Sequence, residues 1–253
     1  MSLEATALAY GYREREIGRG IALNLAGGEV LALLGPNGHG KTTLLKTLLG
    51  LLPAKGGTLT LDGKPLASLS VGVRARALAY VPQVHAGTFA FSVSEIVLMG
   101  RTARSNLFAA PSAHDREMVQ AMLKRLGIEH LAPRPYTEIS GGERQLVMIA
   151  RALAQEPRYV ILDEPTASLD FGNQGKVMNQ IRRLAGEGLG VLFTTHDPNQ
   201  ALRYADRALL LREGQALASG KASELLTPER LAALYGVAIE TVRGDGKLAF
   251  LPG

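Results

Sequence analysis

Two stretches of this chain could do phosphate chemistry together. Gly35-Pro36-Asn37-Gly38-His39-Gly40-Lys41-Thr42 fits the phosphate-loop spacing G-x-x-x-x-G-K-[ST]. Glycines at 35, 38 and 40 let the backbone curl tightly and aim several N–H groups inward. A helix starting near Lys41 adds its positive N-terminal end. The Lys41 ammonium is expected at the outer phosphates and the Thr42 hydroxyl at magnesium. Far downstream, Val160-Ile161-Leu162-Asp163-Glu164 reads as a buried strand ending in two carboxylates. Parallel sheets bind ligands at that end of their strands. Asp163 can coordinate the magnesium, directly or through water, and Glu164 can polarise an attacking water. Alone, a strand ending in Asp-Glu is equally explained by helix capping before Pro165. Beside a phosphate loop, it predicts hydrolysis of ATP or GTP. His39 is an unusual filler of its loop. It is either a switch or ligand, or a side chain turned away from a cradle that binds through its backbone.

These residues need a sheet to hold them. Glu29 to Leu34 reads as a strand feeding the loop, and Lys41 to Leu52 as the helix after it, ended by Pro53. Thr58 to Leu61 runs into the turn signal Asp62-Gly63. Ala77 to Val81 is a short strand stopped by Pro82. From about Val84 to Glu156 the spacing turns helical, as in Glu117 to Leu126, which predicts a separate helical lobe inserted into the sheet domain. Tyr159 to Asp163 returns to the sheet, and Gly190 to Thr195 adds a strand. Arg207 to Leu211 and Gln215 to Ser219, joined by Glu213-Gly214, read as a hairpin. Alternating strands and helices argue for an α/β fold with a largely parallel sheet. The tail from Lys221 carries a helical pattern around Pro228 to Tyr235 and no recognisable chemistry.

Composition limits the rest. The 253 residues can bury one large domain or two lobes. The chain holds no cysteine, which excludes disulfides and thiolate metal sites. No secretory signal is visible at Met1 to Ala5, and no apolar run reaches membrane-span length. The net charge of +5 is scattered, with no basic stripe and few aromatics, so nucleic acid is not an expected partner.

Further segments carry a family resemblance. Ser140-Gly141-Gly142-Glu143-Arg144-Gln145 resembles the signature motif of ATP-binding cassette (ABC) ATPases and leads into a helix read as Leu146 to Ala154. Gln83 resembles the family's Q-loop, Ala167-Ser168-Leu169-Asp170 its D-loop, His196 its switch histidine and Tyr12 its adenine-stacking aromatic. Glu143 stands where the family often has Gln, and Ile139 where it often has Leu.

The resemblance implies a P-loop NTPase (RecA-like) core with a mostly parallel sheet, an N-terminal antiparallel β portion and an inserted helical lobe. It divides a single ABC ATPase domain, 1–253, into a core lobe (about 1–83 and 157–220), a helical lobe (84–156) and a tail (221–253). ATP and Mg2+ are the implied cofactors. Nucleotide contacts fall on Tyr12, on Gly35, Pro36, Asn37, Gly38, His39, Gly40, Lys41, Thr42 and Thr43, and on Ser140, Gly141, Gly142, Glu143 and Asp170. Thr42, Gln83 and Asp163 would hold the metal, and Glu164, His196, Lys41 and Gln83 the chemistry.

A Ser-Gly-Gly helix start is a second anion site. In the family it closes over the ATP of a facing copy, so the resemblance implies a head-to-tail homodimer. Phe91 to Arg101, Ser105 to Pro111 and Thr194 to Gln200 are similar to the importer branch for iron-siderophore, haem, cobalamin and molybdate or tungstate. That branch implies two membrane-spanning permease subunits, an indirect substrate-binding protein and a peripheral place on the cytoplasmic face of the inner membrane. Two other readings are a soluble ABC-type ATPase not coupled to transport and a non-catalytic nucleotide-sensing module.

Overall fold

A strand that is apolar at every position must be covered on both faces. Val30–Leu34 is such a strand and lies inside a six-stranded sheet. The structure is a computed structural model that describes residues 1–83, 91–104, 110–244 and 246–253. β1 (Ser2–Gly11) and β2 (Glu16–Ala26) form an antiparallel hairpin. β3 (Val30–Leu34) leads through the glycine-rich loop into α1 (Lys41–Leu48). β4 (Gly56–Leu61) and β5 (Lys64–Pro65) turn through Asp62 and Gly63, left-handed at φ 50° and 76°, as a tight hairpin turn requires. α2 (Val71–Ala77) runs into β6 (Leu78–Val81).

Among the described residues, α3 (Val93–Leu98), α4 (Ala113–Arg125) and α5 (Gly141–Leu153) follow. Then come β7 (Tyr159–Leu162), α6 (Phe171–Gly186), β8 (Gly190–Thr195), α7 (Pro198–Tyr204), β9 (Arg207–Arg212) and β10 (Gln215–Lys221). The chain ends in α8 (Ala222–Leu225), α9 (Pro228–Tyr235) and the hairpin of β11 (Ile239–Gly244) with β12 (Lys247–Pro252).

The central sheet has the order β10-β9-β3-β8-β7-β6 and is parallel except for β10. A second, antiparallel sheet has the order β2-β1-β4-β5. This is the α/β arrangement expected, including its N-terminal antiparallel part. Alternate residues of β3 feed two cores. Val30, Ala32 and Leu34 pack with α5, α6 and the tail, while Leu31 and Leu33 pack with α1 and the antiparallel sheet. The parallel register sets β3, β7 and β8 side by side, so the loops after all three open at one edge.

Between β6 and β7 the helices start from side-chain caps. Ser92 with Glu95, and Ser112 with Asp115, form capping boxes at α3 and α4. Buried Arg101 ties this region together. Its guanidinium donates to Asp115 at 2.8 Å, to the Ala154 carbonyl at 2.7 Å and to Glu156 at 2.9 Å. The Arg101 bond, with those of Ser112, holds the Asp115 carboxyl well below the usual carboxylate range. The expected lobe boundary at Val84 and the segment Ser105–Ala109 lie outside the described residues.

Several boundaries differ from the sequence reading. α1 stops at Leu48 rather than Leu52 because Gly50 turns left-handed at φ 69°, and the N–H groups of Leu51 and Leu52 return to the Lys46 carbonyl. α5 begins at Gly141, well before Leu146, because Ser140 and Glu143 cap it there. Ala77 closes α2 instead of opening β6. α9 falls where the pattern placed it, whereas the β11–β12 hairpin was not read from the sequence.

Candidate functional site

The phosphate loop leaves the end of β3 with no room for a side chain at two of its glycines. A Cβ at Gly35 would lie 2.2 Å from the Leu211 carbonyl oxygen. Gly40 is the N-cap of α1 at φ 92°, and a Cβ there would lie 2.8 Å from Ile17 Cγ2. Glycine has no side chain to cap with, so the first N–H groups of α1 keep their donor capacity for an anion. Lys41 is buried. Its ammonium donates to the carbonyls of Gly35 at 2.8 Å and Pro36 at 3.1 Å and to Asn37 Oδ1 at 3.4 Å, and lies 3.3 Å from Glu164 Oε1. Thr43 is buried within α1, where its carbonyl accepts from the Thr47 hydroxyl.

The two carboxylates part at the end of β7. Buried Asp163 accepts from the Thr42 hydroxyl at 2.7 Å, the Thr194 hydroxyl at 2.8 Å and the Tyr80 hydroxyl at 3.3 Å. Burial and the adjoining Asp163 push the Tyr80 phenol above its ordinary range, so it stays a donor. Glu164 adopts a left-handed φ of 45°, a conformation that costs a non-glycine residue of order 1 kcal/mol. Its N–H is held by Thr194 Oγ1 at 2.7 Å. The turn sends its carboxylate between Lys41 and His196, whose Nδ1 is 3.8 Å from Glu164 Oε2. Beside it, a cavity of about 100 Å³ is bordered by Glu164, Thr166, Thr195, His196 and Gln200. That space is roomy enough, and its lining polar enough, for ordered water.

The structure therefore joins Lys41, Thr42, Asp163, Glu164 and His196 in one chain of contacts. It leaves the others apart. Tyr12 is half exposed in the β1–β2 turn, where it and Arg15 exchange backbone bonds of 2.9 and 3.2 Å. That turn stands beside the loop because Tyr10 and Ile17 pack on Gly40. Exposed Gln83 follows β6 at the same sheet edge.

Ser140 and Gly141 are exposed, and among the described residues no hydrogen bond ties them to the phosphate loop. The Ser140 hydroxyl accepts from the Glu143 N–H at 3.3 Å, and Glu143 Oε2 accepts from the Ser140 N–H at 2.7 Å. These bonds lower the Glu143 pKa and keep it a carboxylate. Asp170 is occupied in capping α6, accepting from Asn173 N–H at 2.9 Å. Gly142 lets Asn173 approach, since a Cβ would lie 2.7 Å from its Cγ. The imidazole of His39 points out of the cradle, its Nδ1 accepting the Glu213 N–H at 3.0 Å.

Sequence reasoning missed Thr194, Tyr80 and Gln200. Thr194 is the hinge of the site, accepting from Glu164 and donating to Asp163 through one hydroxyl. Its signal was a pair of threonines ending an otherwise apolar strand. Gln200 accepts from the Thr166 and Thr195 hydroxyls at 3.0 and 3.2 Å, linking the loop after β7 to that after β8.

A parallel sheet with this loop, helix and carboxylate arrangement defines a P-loop nucleoside triphosphatase. The profile of the ABC transporter family matches residues 19–167. The hemin import ATP-binding protein HmuV of Burkholderia lata is 40% identical over 96% of this chain and 97% of its own. The molybdate import ATP-binding protein MolC of Haemophilus influenzae is 43% identical over 82% of this chain and 77% of its own. Among solved structures, a chain described as part of an inward-facing, metal-chelate type ABC transporter superposes with a TM-score of 0.88 at 35% identity, covering 99% of this chain and 97% of that one. The chain belongs to the ABC transporter family and is its ATP-binding, ATP-hydrolysing component. Among the described residues no helix is long and apolar enough to cross a membrane.

Proposed function

We propose that this chain is the ATP-hydrolysing subunit of an importer for a metal chelate or metal oxyanion: an iron-siderophore, haem, cobalamin, molybdate or tungstate. The observation that carries the catalytic half is the seat of Glu164, 3.3 Å from the Lys41 ammonium and 3.8 Å from His196, next to an Asp163 already bonded to Thr42. The importer half is supported by the hemin and molybdate relatives and by the metal-chelate type neighbour.

In this reading Tyr12 stacks on adenine, and the loop from Gly35 to Thr43 holds the phosphates through backbone N–H groups and Lys41. Glu164 accepts a proton from the attacking water, and His196 steadies the γ-phosphate. Thr42, Asp163 and Gln83 offer only oxygen donors, and the Thr42–Asp163 pair fits a hard cation that keeps phosphate and water as its other ligands. Bound there, Mg2+ would neutralise charge on the phosphates. Among the described residues, no three His, Cys, Asp or Glu side chains gather as a metal cage.

Ser140, Gly141, Gly142, Glu143 and Asp170 face a second copy of the chain in a head-to-tail homodimer, closing over its nucleotide. Closure and reopening are passed by the helical lobe (84–156) to two membrane-spanning permease subunits at the cytoplasmic face, which receive cargo from a substrate-binding protein. The core lobe is about 1–83 and 157–220.

The test is transport in vesicles holding this chain with its many-span partner, supplied in turn with iron chelate, haem, cobalamin and molybdate. ATP-dependent uptake of one cargo, lost in Glu164→Gln, is expected. ATP hydrolysis by a chain that never co-purifies with a membrane partner would leave the soluble ATPase reading standing instead.

A further inference from the structure

The tail beyond Lys221 carries no motif of phosphate chemistry, yet it grips the segment that presents His196. The Tyr235 hydroxyl, at the last turn of α9, donates to the His196 carbonyl at 2.9 Å. Burial, with Asp197 nearby, pushes the Tyr235 phenol above its ordinary range and keeps it a donor. Three residues on from His196, the Asn199 amide is clamped to the terminal strand. It donates to the Phe250 carbonyl at 3.0 Å and accepts the Phe250 N–H at 2.8 Å. Phe250 and the α9 residues Leu231 and Leu234 are buried in the main core, so both anchors are rigid.

His196 needs such anchors. Its side chain is 53% exposed, and its nearest charged neighbour, Glu164, is 3.8 Å from Nδ1. Packing therefore does little to fix the imidazole, and its backbone must. On the upstream side that backbone is fixed by the Asp197 N–H donating to Thr195 Oγ1 at 3.0 Å. On the other side, the tail supplies the hold.

We propose that Tyr235 and Asn199 are positioning residues for hydrolysis: they make the C-terminal tail a clamp that sets where His196 stands. The clamp rests on the catalytic reading of His196 for its effect on turnover, but not for its effect on the ring. Tyr235→Phe deletes one hydroxyl and keeps the packed ring. A lost hydrogen bond of about 1 kcal/mol corresponds to roughly a fivefold change. Tyr235→Phe should therefore lower kcat about three- to tenfold while KM for ATP stays put and the melting temperature falls by only about 2–4 °C. Asn199→Ala should give the same kcat-against-KM split with a larger fall in melting temperature, because it removes the partner of the Phe250 N–H and carbonyl.

The imidazole nitrogen NMR spectrum reads the ring directly. The His196 signal, assigned by its absence in His196→Ala, should shift or broaden in Tyr235→Phe while those of His39, His114 and His130 do not. In the background of His196→Ala, Tyr235→Phe should cost no further turnover, since residues acting through one group are not additive. An unmoved His196 signal with wild-type kcat in Tyr235→Phe overturns the clamp. A moved signal with full turnover in His196→Ala keeps the clamp and removes His196 from the catalytic reading.

Discussion

Two helices of this chain start with glycines and face opposite tasks. α1 is N-capped by Gly40, left-handed and without a capping side chain, beside a buried lysine. α5 begins at Gly141 and is N-capped by Ser140, whose hydroxyl accepts the Glu143 N–H while Glu143 accepts the Ser140 N–H; neither bond uses the N–H groups of Gly141 and Gly142. An N-cap is worth about 1 kcal/mol to a helix. α1 forgoes it, and its donors stay available to an anion. α5 keeps it, and places a carboxylate beside its own anion site. The first terminus is wired into Asp163 and Glu164 within one chain. The second stands exposed, with no hydrogen bond to the phosphate loop among the described residues. The contrast teaches that the first helix end meets the site's carboxylates within one chain while the second does not, as the proposed head-to-tail pairing would require.

The comparison can be broken first at the phosphate-loop end. Glu164→Gln should cut steady-state phosphate release about a hundredfold or more, as loss of a general base does, with equilibrium nucleotide binding retained. Normal turnover would remove Glu164 from that role. Lys41→Ala should weaken nucleotide binding about a hundredfold, since bonds to a charged group contribute about 1.5–3 kcal/mol each; a fluorescence titration decides this.

The second end is tested through association. Ser140→Arg fills the exposed anion site with a long cation, and ATP-dependent dimerisation in light scattering should vanish while binding to the monomer persists. Undiminished dimerisation would mean that the two ends do not meet across copies. The smallest change sharpens the contrast most. Glu143→Gln keeps the capping box and deletes its charge. The ATP-bound dimer should tighten about threefold, because a charge near a helix end contributes about 0.3–1 kcal/mol. The melting temperature should barely move.

Much of the site was legible because its chemistry is local. A glycine-rich run between an apolar strand and a helix reads as a tight turn whose N–H groups can face an anion, and Asp163-Glu164 follows an all-apolar strand that reads as buried in the sheet. Element boundaries were less legible, because capping decides them. Gly50 stopped α1 early and Ser140 started α5 early, through backbone bonds that hydrophobic spacing does not encode. Thr194 and Tyr80 were missed for another reason: each sits in a strand whose neighbours are apolar, and its hydroxyl matters only once β6, β7 and β8 lie in register.

By itself the sequence determined the phosphate-loop motif and the order of the site residues along the chain, because spacing of a few residues is set by covalent geometry. Tertiary structure alone decided which of two adjacent carboxylates meets Thr42 and which meets Lys41. It also decided that His39 turns to Glu213 and that a tail without motifs reaches His196. Those pairings join residues far apart in sequence, and only burial of two cores against one sheet brings them within a hydrogen bond's length.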